Sequence, residues 1–334
     1  MTPYKKERSR HTATLINDKL YILGGDVGRD FFYLDVSVPF NTQKLLWNEL
    51  SNINNVPSHY AAASVNSGEN NDRLLLYGGV VINNPTVTDF VYIFNPQSNS
   101  WSIPKITENI PPKISGDTPL KKGGDSGKSL ALNQVYLYDT INDNWSTKTT
   151  SGIVPSGRDG FSAVLGSDGQ RVIIYGGVPA VNQKFTPEDS FYELNVINFE
   201  WRIPKISGKI PKSRAYHRAN VIGKYMVITF GEGYDRFTES DILLLDISNV
   251  DEYIWTYEFY PPPPPQSSTK SGKVPTSPSS PSAMPPSIIV QSQSAPSMTG
   301  AIIGSLIGGA TLSSVGFLLY RWNKNRQKSD NNNI

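Results

Sequence analysis

Cysteine is missing altogether from the 334 residues, and histidine occurs only three times. Without cysteine there is no disulfide, no thiol nucleophile and no zinc–thiolate centre; the compartment stays open. Neither sign of charge dominates, with 31 basic against 29 acidic residues and a net charge of +2. The chain therefore carries no basic field of the kind that binds nucleic acid. Helical apolar periodicity is absent before residue 260, as are the Gly-x-Ser-x-Gly and P-loop patterns of hydrolases and nucleotide-binding enzymes. Residues 1–10 (MTPYKKERSR) contain no apolar core that could act as an export signal.

What is present is a repeat. Trp47, Trp101, Trp145, Trp201 and Trp255 follow one another at intervals of 54, 44, 56 and 54 residues. Glycine pairs keep pace at Gly24–Gly25, Gly78–Gly79, Gly123–Gly124 and Gly176–Gly177, with a worn fifth copy at Gly231–Glu232. Short apolar runs precede most of the pairs, at 20–23 (LYIL), 74–77 (LLLY), 172–175 (VIIY) and 226–230 (MVITF). Such β-branched and aromatic runs, stopped by glycine, predict buried strands. A second run ending in Asp or Asn follows each pair, at 31–35, 91–95, 135–139, 191–195 and 242–246. In three repeats the tryptophan lies six residues further on, across a polar hairpin connection into an outer strand. A fourth strand is expected ahead of the apolar run, at 11–16, 60–65, 161–165 and 217–222.

Four antiparallel strands about every 50 residues make a propeller blade. The apolar run, double glycine, Tyr-x-Asp/Asn strand and trailing tryptophan, recurring in order over residues 8–259, resemble the kelch family. The fold expected is all-β: a kelch β-propeller of about five visible blades over residues 1–260, with the third blade shortened. The tryptophans are expected as apolar wedges between blade faces. From each tryptophan to the second glycine of the next pair is 32, 23, 32 and 31 residues, so the third repeat lacks about nine. The loss falls upstream of its glycines, where 117–122 (DTPLKK) replaces an apolar strand. The count also leaves room for a sixth blade ahead of the first.

Two readings of chemistry follow. His11, His59 and His217 all stand near the start of a first strand, where they either form part of the repeat pattern or approach a common metal; the former is the reading adopted, with no metal, no catalytic residue and no cofactor. The kelch resemblance also brings in galactose oxidase, whose copper site uses a tyrosine cross-linked to cysteine, which this chain cannot form. Binding is the remaining class. In peptide-binding kelch domains, the resemblance implies contacts just after the glycine pair and just after an arginine heading the first strand. Arg8, Arg158 and Arg214 are counterparts of that arginine, with Tyr60 in the second repeat. Carried over position by position, the candidate ligand-binding residues are Ser9, Arg10, Asp26, Asp159 and Tyr216, for an unknown protein or carbohydrate. Alternatively, the arginines bridge neighbouring blades through ion pairs and backbone carbonyls.

At Pro261 the composition changes to Pro, Ser and Thr, expected as an extended, disordered stalk over 261–298. Residues 300–320 carry no charge and would span about 31 Å as a helix, the thickness of a bilayer core. A single transmembrane helix is therefore expected at 299–320. Arg321, Lys324, Arg326 and Lys328 follow it, which places the tail 321–334 in the cytoplasm and the propeller outside or in a lumen. That topology assumes a missing signal peptide; otherwise the chain is a cytosolic scaffold anchored by its tail. Gly300, Gly304 and Gly308 share one helix face and allow a helix-mediated homodimer. Asn144, in the lone N-glycosylation motif, would carry a sugar only if the propeller is lumenal or extracellular.

Overall fold

The computed structural model describes residues 7–263 apart from 27, 54, 56, 82–90, 105–131, 140–141, 180–189, 234 and 236. The stalk beyond residue 263, the helix at 299–320, the basic tail and the 117–122 segment lie outside the described residues.

Four repeats each supply four antiparallel strands, and in two of them a two-residue parallel strand, Ser151–Gly152 or Ile206–Ser207, is added at the outer edge. Blade 1 comprises Thr12–Ile16, Lys19–Leu23, Phe31–Asp35 and Trp47–Glu49. Blade 2 comprises Ala63–Ser67, Arg73–Tyr77, Val91–Asn95 and Ser100–Ser102. Blade 4 comprises Ser162–Leu165, Arg171–Tyr175, Phe191–Asn195 and Glu200–Arg202. Blade 5 comprises Arg218–Ile222, Tyr225–Thr229, Ile242–Asp246 and Tyr253–Thr256. Blade 3 shows two strands among the described residues, Gln134–Asp139 and Asn144–Thr149, which are its third and fourth.

The second strand of each complete blade is apolar at successive positions because its sheet is covered on both faces. In blade 1, Leu20 and Ile22 face blade 5, where they meet Val227 and Leu244, while Tyr21 and Leu23 face blade 2 and meet Leu74 and Leu76. The blade 4/5 seam repeats the pattern with Ile173 and Tyr175 against Met226 and Ile228, and blade 4 turns Val172 and Ile174 toward Val135 of blade 3.

Backbone bonds stitch the same seams. The second glycine of a pair donates its N–H to the carbonyl of an arm residue on the next blade: Gly25 to His59 (3.0 Å), Gly177 to Arg214 (3.0 Å) and Gly231 to Arg8 (2.9 Å). The last of these joins blade 5 to blade 1, so the ring closes with the bond used elsewhere in it. Glu258–Phe259 adds an antiparallel pairing to Phe40–Asn41 of blade 1, with the rings of Phe40 and Phe259 stacked at 4.5 Å. A sixth blade ahead of blade 1 would have to enter this seam, which Leu20, Ile22, Phe32, Phe230 and Leu244 fill.

The worn fifth copy is offset by one residue from its expected place. Phe230, not Gly231, takes the position of the first glycine: its N–H donates to Asp241 (3.0 Å) as that of Gly24 does to Asp30 (2.9 Å), and its φ is +48°. At Gly24 (φ +66°) a Cβ would sit 2.1 Å from the His59 carbonyl oxygen, which glycine alone permits. At the closing seam the Phe230 side chain is accommodated and buried, stacked on Trp47 at 5.8 Å and edge-on to His11 at 5.2 Å.

Four of the five tryptophans are wedges, each packed on the preceding blade. Trp47 lies on Phe230, Trp101 on Phe31, Trp255 on Tyr175, and Trp201 donates its indole N–H to the Leu132 carbonyl at 3.1 Å. Trp145 departs from the expectation, being 55% exposed. Its blade is the shortened one, and the matching face of blade 2, Leu75 and Tyr77 with Val65 and Val91, forms a small cluster containing no described residue of blade 3. The two tryptophans should differ accordingly in urea unfolding. Trp201→Ala is expected to lose about 3–5 kcal/mol, and Trp145→Ala less than about 0.5 kcal/mol.

Candidate functional site

First strands begin, and second strands end, at the same face of the ring, so the arms that lead into the blades meet the loops after the glycine pairs there. Each arm makes a short pairing with its own loop. His59–Tyr60 pairs with Val80–Val81, Arg158–Asp159 with Val178–Pro179, and Arg214–Ala215 with Glu232–Gly233. In blade 1 the Asp26 N–H donates to the Ser9 carbonyl at 3.2 Å.

One residue further along the arm lies a row of left-handed backbones: Arg10 (φ +56°), Ala61 (+56°), Gly160 (+66°) and Tyr216 (+55°). Three of the four are not glycine, a conformation that L-residues hold only where the surroundings impose it. The cause is a chain of inter-blade hydrogen bonds. Ala61 N–H donates to Arg10 (2.8 Å), Arg10 N–H to Tyr216 (2.9 Å) and Tyr216 N–H to Gly160 (2.7 Å). At Gly160, whose neighbour would be blade 3, the N–H turns instead to the Asp159 carboxylate of its own arm at 2.7 Å.

This chain gathers the five candidates on one mouth. The Arg10 guanidinium lies over the Tyr216 ring, 4.1 Å from its centroid, across the blade 5/1 junction. It also faces the Asp26 carboxylate at 3.6 Å, and the Ser9 hydroxyl donates to the same carboxylate. Arg10 and Asp26 are half-open to solvent, with side chains 27% and 39% exposed. Ser9 is buried and orients Asp26, while Asp159 caps Gly160. Tyr60, Val80, Val178 and Glu232 occupy equivalent positions in the other blades; the last three were missed from sequence, and Tyr60 was set in the arginine row because the register on the second repeat is one residue off.

The arginines that head the first strands reach a neighbouring blade at the blade 5/1 seam, where the Arg8 guanidinium lies over the Phe230 ring, 5.3 Å from its centroid. Each guanidinium also ties strands of its own blade through hydrogen bonds. Arg8 donates to the Gly24 carbonyl (3.1 Å) and pairs with Asp30 (3.0 Å). Arg158 donates to Gly176 (3.2 Å), and Arg214 to Phe230 (3.1 Å) and Asp241 (2.6 Å). In the second repeat His59, rather than Tyr60, holds the arginine's place, since its carbonyl accepts from Gly25 as that of Arg214 accepts from Gly177.

The histidines are consequently not equivalent. His11 and His217 share one position, where Ala62 and Phe161 stand in the other blades, and His59 belongs to the arginine row. Among the described residues no three of His, Asp and Glu are placed to hold a metal ion. His11 and His217 are fully buried, and both are held well below the ordinary imidazole value of 6.5. Burial is the first cause; for His11 the charges of Arg218 and Arg8 add to it, and for His217 those of Arg214 and Arg218.

Residues 33–244 match the family model described as the Attractin/LZTR1 beta-propeller. The chain belongs to the kelch-type β-propeller family. Its kelch-type relatives share the repeats at modest identity. Acyl-CoA-binding domain-containing protein 4 of Arabidopsis thaliana is 27% identical over 261 residues, covering 73% of this chain and 38% of that protein. Human Host cell factor 2 is 26% identical over 69% of this chain and 31% of its own length. Kelch domain-containing protein 3 of Bos taurus is 28% identical over 44% of this chain and 41% of its own. This kelch-type chain thus matches well under half the length of these relatives. Among solved structures, YjhT superposes with a TM-score of 0.49 at 15% identity, over 76% of this chain and 98% of that one.

Proposed function

We propose that this propeller is a non-catalytic interaction module that holds a protein partner across the mouth formed by Ser9, Arg10, Asp26, Asp159 and Tyr216. The observation that carries the reading is the Arg10–Tyr216 stack. A solvent-facing cation on an aromatic face is fixed at a blade junction by two residues whose backbones are both left-handed. Side chains held this way lose little freedom on binding, and arginine and tyrosine dominate the energetics of interfaces. A carbohydrate ligand is the second chemistry to which an aromatic face with flanking polar groups is suited. An oxidase reading, or any other enzymatic one, would need a convergent set of reacting groups, whereas Ser9, Arg10, Asp26, Asp159 and Tyr216 are read as contacts for a partner.

The experiment is affinity capture with matched variants. Arg10→Ala combined with Tyr216→Asn, which tolerates the left-handed backbone, should reduce recovery of the partner at least tenfold with the thermal transition little changed. Lys224→Ala, at the opposite end of the blade 5 strands and paired with Asp246 at 2.7 Å, should leave recovery intact. Equal recovery by both variants would rule the mouth out.

The module is further proposed to sit on a Pro/Ser stalk and a single membrane helix at 299–320, with the tail in the cytoplasm. Asn144 lies exposed at the start of the outer strand of blade 3, open to modification. Resistance of the full chain to carbonate extraction tests the anchor. A glycosidase-sensitive shift abolished by Asn144→Gln tests the orientation, and its absence in a membrane-bound chain would favour the cytosolic, tail-anchored scaffold.

A further inference from the structure

His11 directly follows Arg10, and His217 directly follows Tyr216. The two side chains that make the mouth stack are therefore each attached to a backbone whose next residue is a buried imidazole. His11 packs in the seam between blades 5 and 1, edge-on to Phe230 at 5.2 Å, with its Nε2 bonded to the Thr229 hydroxyl at 2.8 Å. That hydroxyl also lies 3.3 Å from the Arg218 carbonyl, to which it donates. It then accepts from His11 Nε2–H, which leaves Nδ1 as a buried lone pair with no partner. His217 packs in the seam between blades 4 and 5 against the Tyr175 ring, 5.0 Å between centroids, and neither of its ring nitrogens has a partner in ordinary hydrogen-bonding geometry.

The side chains that act on the two rings are basic, two of them already paired with carboxylates, Arg8 with Asp30 at 3.0 Å and Arg214 with Asp241 at 2.6 Å. Arg8 on its own arm, with Arg218 and His217 from blade 5, act on His11; Arg214 and Arg218 act on His217, against which only the Arg214 backbone works in the other direction. A proton added to either ring would be buried beside guanidinium groups with no carboxylate partner among these residues, a costly state in a desolvated seam. The arms can relieve it by leaving the seam. In doing so they break the bonds from Arg10 to Tyr216 and from Tyr216 to Gly160 that hold both residues left-handed.

We propose that His11 and His217 form an acid-sensitive latch: protonation of the pair releases the arms of blades 1 and 5, dismantles the Arg10–Tyr216 stack and discharges whatever the mouth holds. The functional meaning rests on the mouth being the binding site; the latch itself does not. The sign follows from linkage. Both imidazoles are depressed in the folded state, so the closed form is fully favoured above pH 6.5 and loses ground as pH falls below it. Between pH 7.5 and 5.5 each ring contributes about tenfold, and the two together about 100-fold, to the opening equilibrium.

The test is amide hydrogen exchange on the full chain at those two pH values, corrected for intrinsic rates and requiring no ligand. Peptides covering residues 8–16 and 214–222 should lose about 100-fold in protection at pH 5.5, while residues 73–77 in blade 2 keep theirs. His217→Phe, which installs the residue blade 4 uses at this position, should cut the loss to about tenfold. Adding His11→Ala, as in blade 2, should abolish it. Should a seam be too disturbed by these changes to fold, His11→Gln and His217→Gln provide uncharged replacements for the same comparison. Unchanged protection of the wild type at pH 5.5, an undiminished loss in the double variant, or an equal loss in blade 2 would overturn the latch. Because no partner enters the measurement, such a failure leaves the reading of the mouth untouched, and the capture experiment decides that reading separately.

Discussion

Gly176→Ala is expected to unfold most of the chain at ambient temperature, with a stability loss on the order of 4 kcal/mol or more. A Cβ at this position would lie 2.1 Å from the Arg214 carbonyl oxygen and 2.9 Å from Cε1 of His217, at a φ of +69°. Neither neighbour can give way. The Arg214 carbonyl accepts the Gly177 N–H across the blade 4/5 seam, and His217 is buried against Tyr175. The change would be read by urea unfolding beside Gly169→Ala, whose glycine also has positive φ but has nothing within 4 Å of the added carbon. That control should lose only about 1 kcal/mol, the cost of the backbone conformation alone. Equal losses in the two variants would mean that seam packing at the glycine pair contributes nothing.

The second large effect lies at the outer end of the same seam. Glu193 is buried and accepts from the Tyr253 hydroxyl of blade 5 and from Arg202 Nε at 2.8 Å. Arg171 donates in turn to the Tyr253 oxygen and pairs with Asp168 at 2.5 Å. Glu193→Ala leaves Arg171 buried with its charge less fully compensated and Tyr253 without its acceptor, for an expected loss of about 3–5 kcal/mol. Glu193→Gln keeps an acceptor and should lose less. Burial, followed by the hydrogen bond to Glu193, raises the Tyr253 phenol above its ordinary value of 10.0. The network therefore contributes in full below pH 10 and weakens as the pH rises beyond it. A pH series of urea midpoints in wild type and Glu193→Gln would show this as an alkaline decline that is shallower in the variant.

The parts of the ring legible in the sequence were those set by backbone sterics and burial. Double-sided strands read as unbroken apolar runs, and Gly24 and Gly176 marked where a Cβ has no room. The fifth copy misled because Phe230 does at the closing seam what glycine does elsewhere. A residue that keeps a positive φ while filling a gap leaves no compositional trace of its backbone. That one-residue slip had counterparts at Tyr60 and His59, where only the hydrogen bond from Gly25 shows which carbonyl belongs to the arginine row. Trp145 looked like its four counterparts because the interval to the preceding Asp139 is normal; its exposure depends on what stands across the seam, which local sequence does not encode. At the mouth, the candidate positions came from resemblance to peptide-binding kelch domains. The Arg10–Tyr216 stack did not, since 206 residues separate its partners and only ring closure brings them together.

Ring closure is also the premise on which the mouth and the latch depend, and the chain suits a direct test because it contains no cysteine. Asn41 and Glu258 are register partners in the antiparallel pairing that joins the end of blade 5 to blade 1. Opposed residues in such a pair bring their Cα atoms to about 4.5–5.5 Å, within reach of a disulfide. Asn41→Cys with Glu258→Cys should form an intramolecular disulfide on mild oxidation, seen as a single cross-linked peptide in mass spectrometry and a raised melting temperature. Free thiols, or cross-links only between molecules, would contradict a ring that closes blade 5 on blade 1.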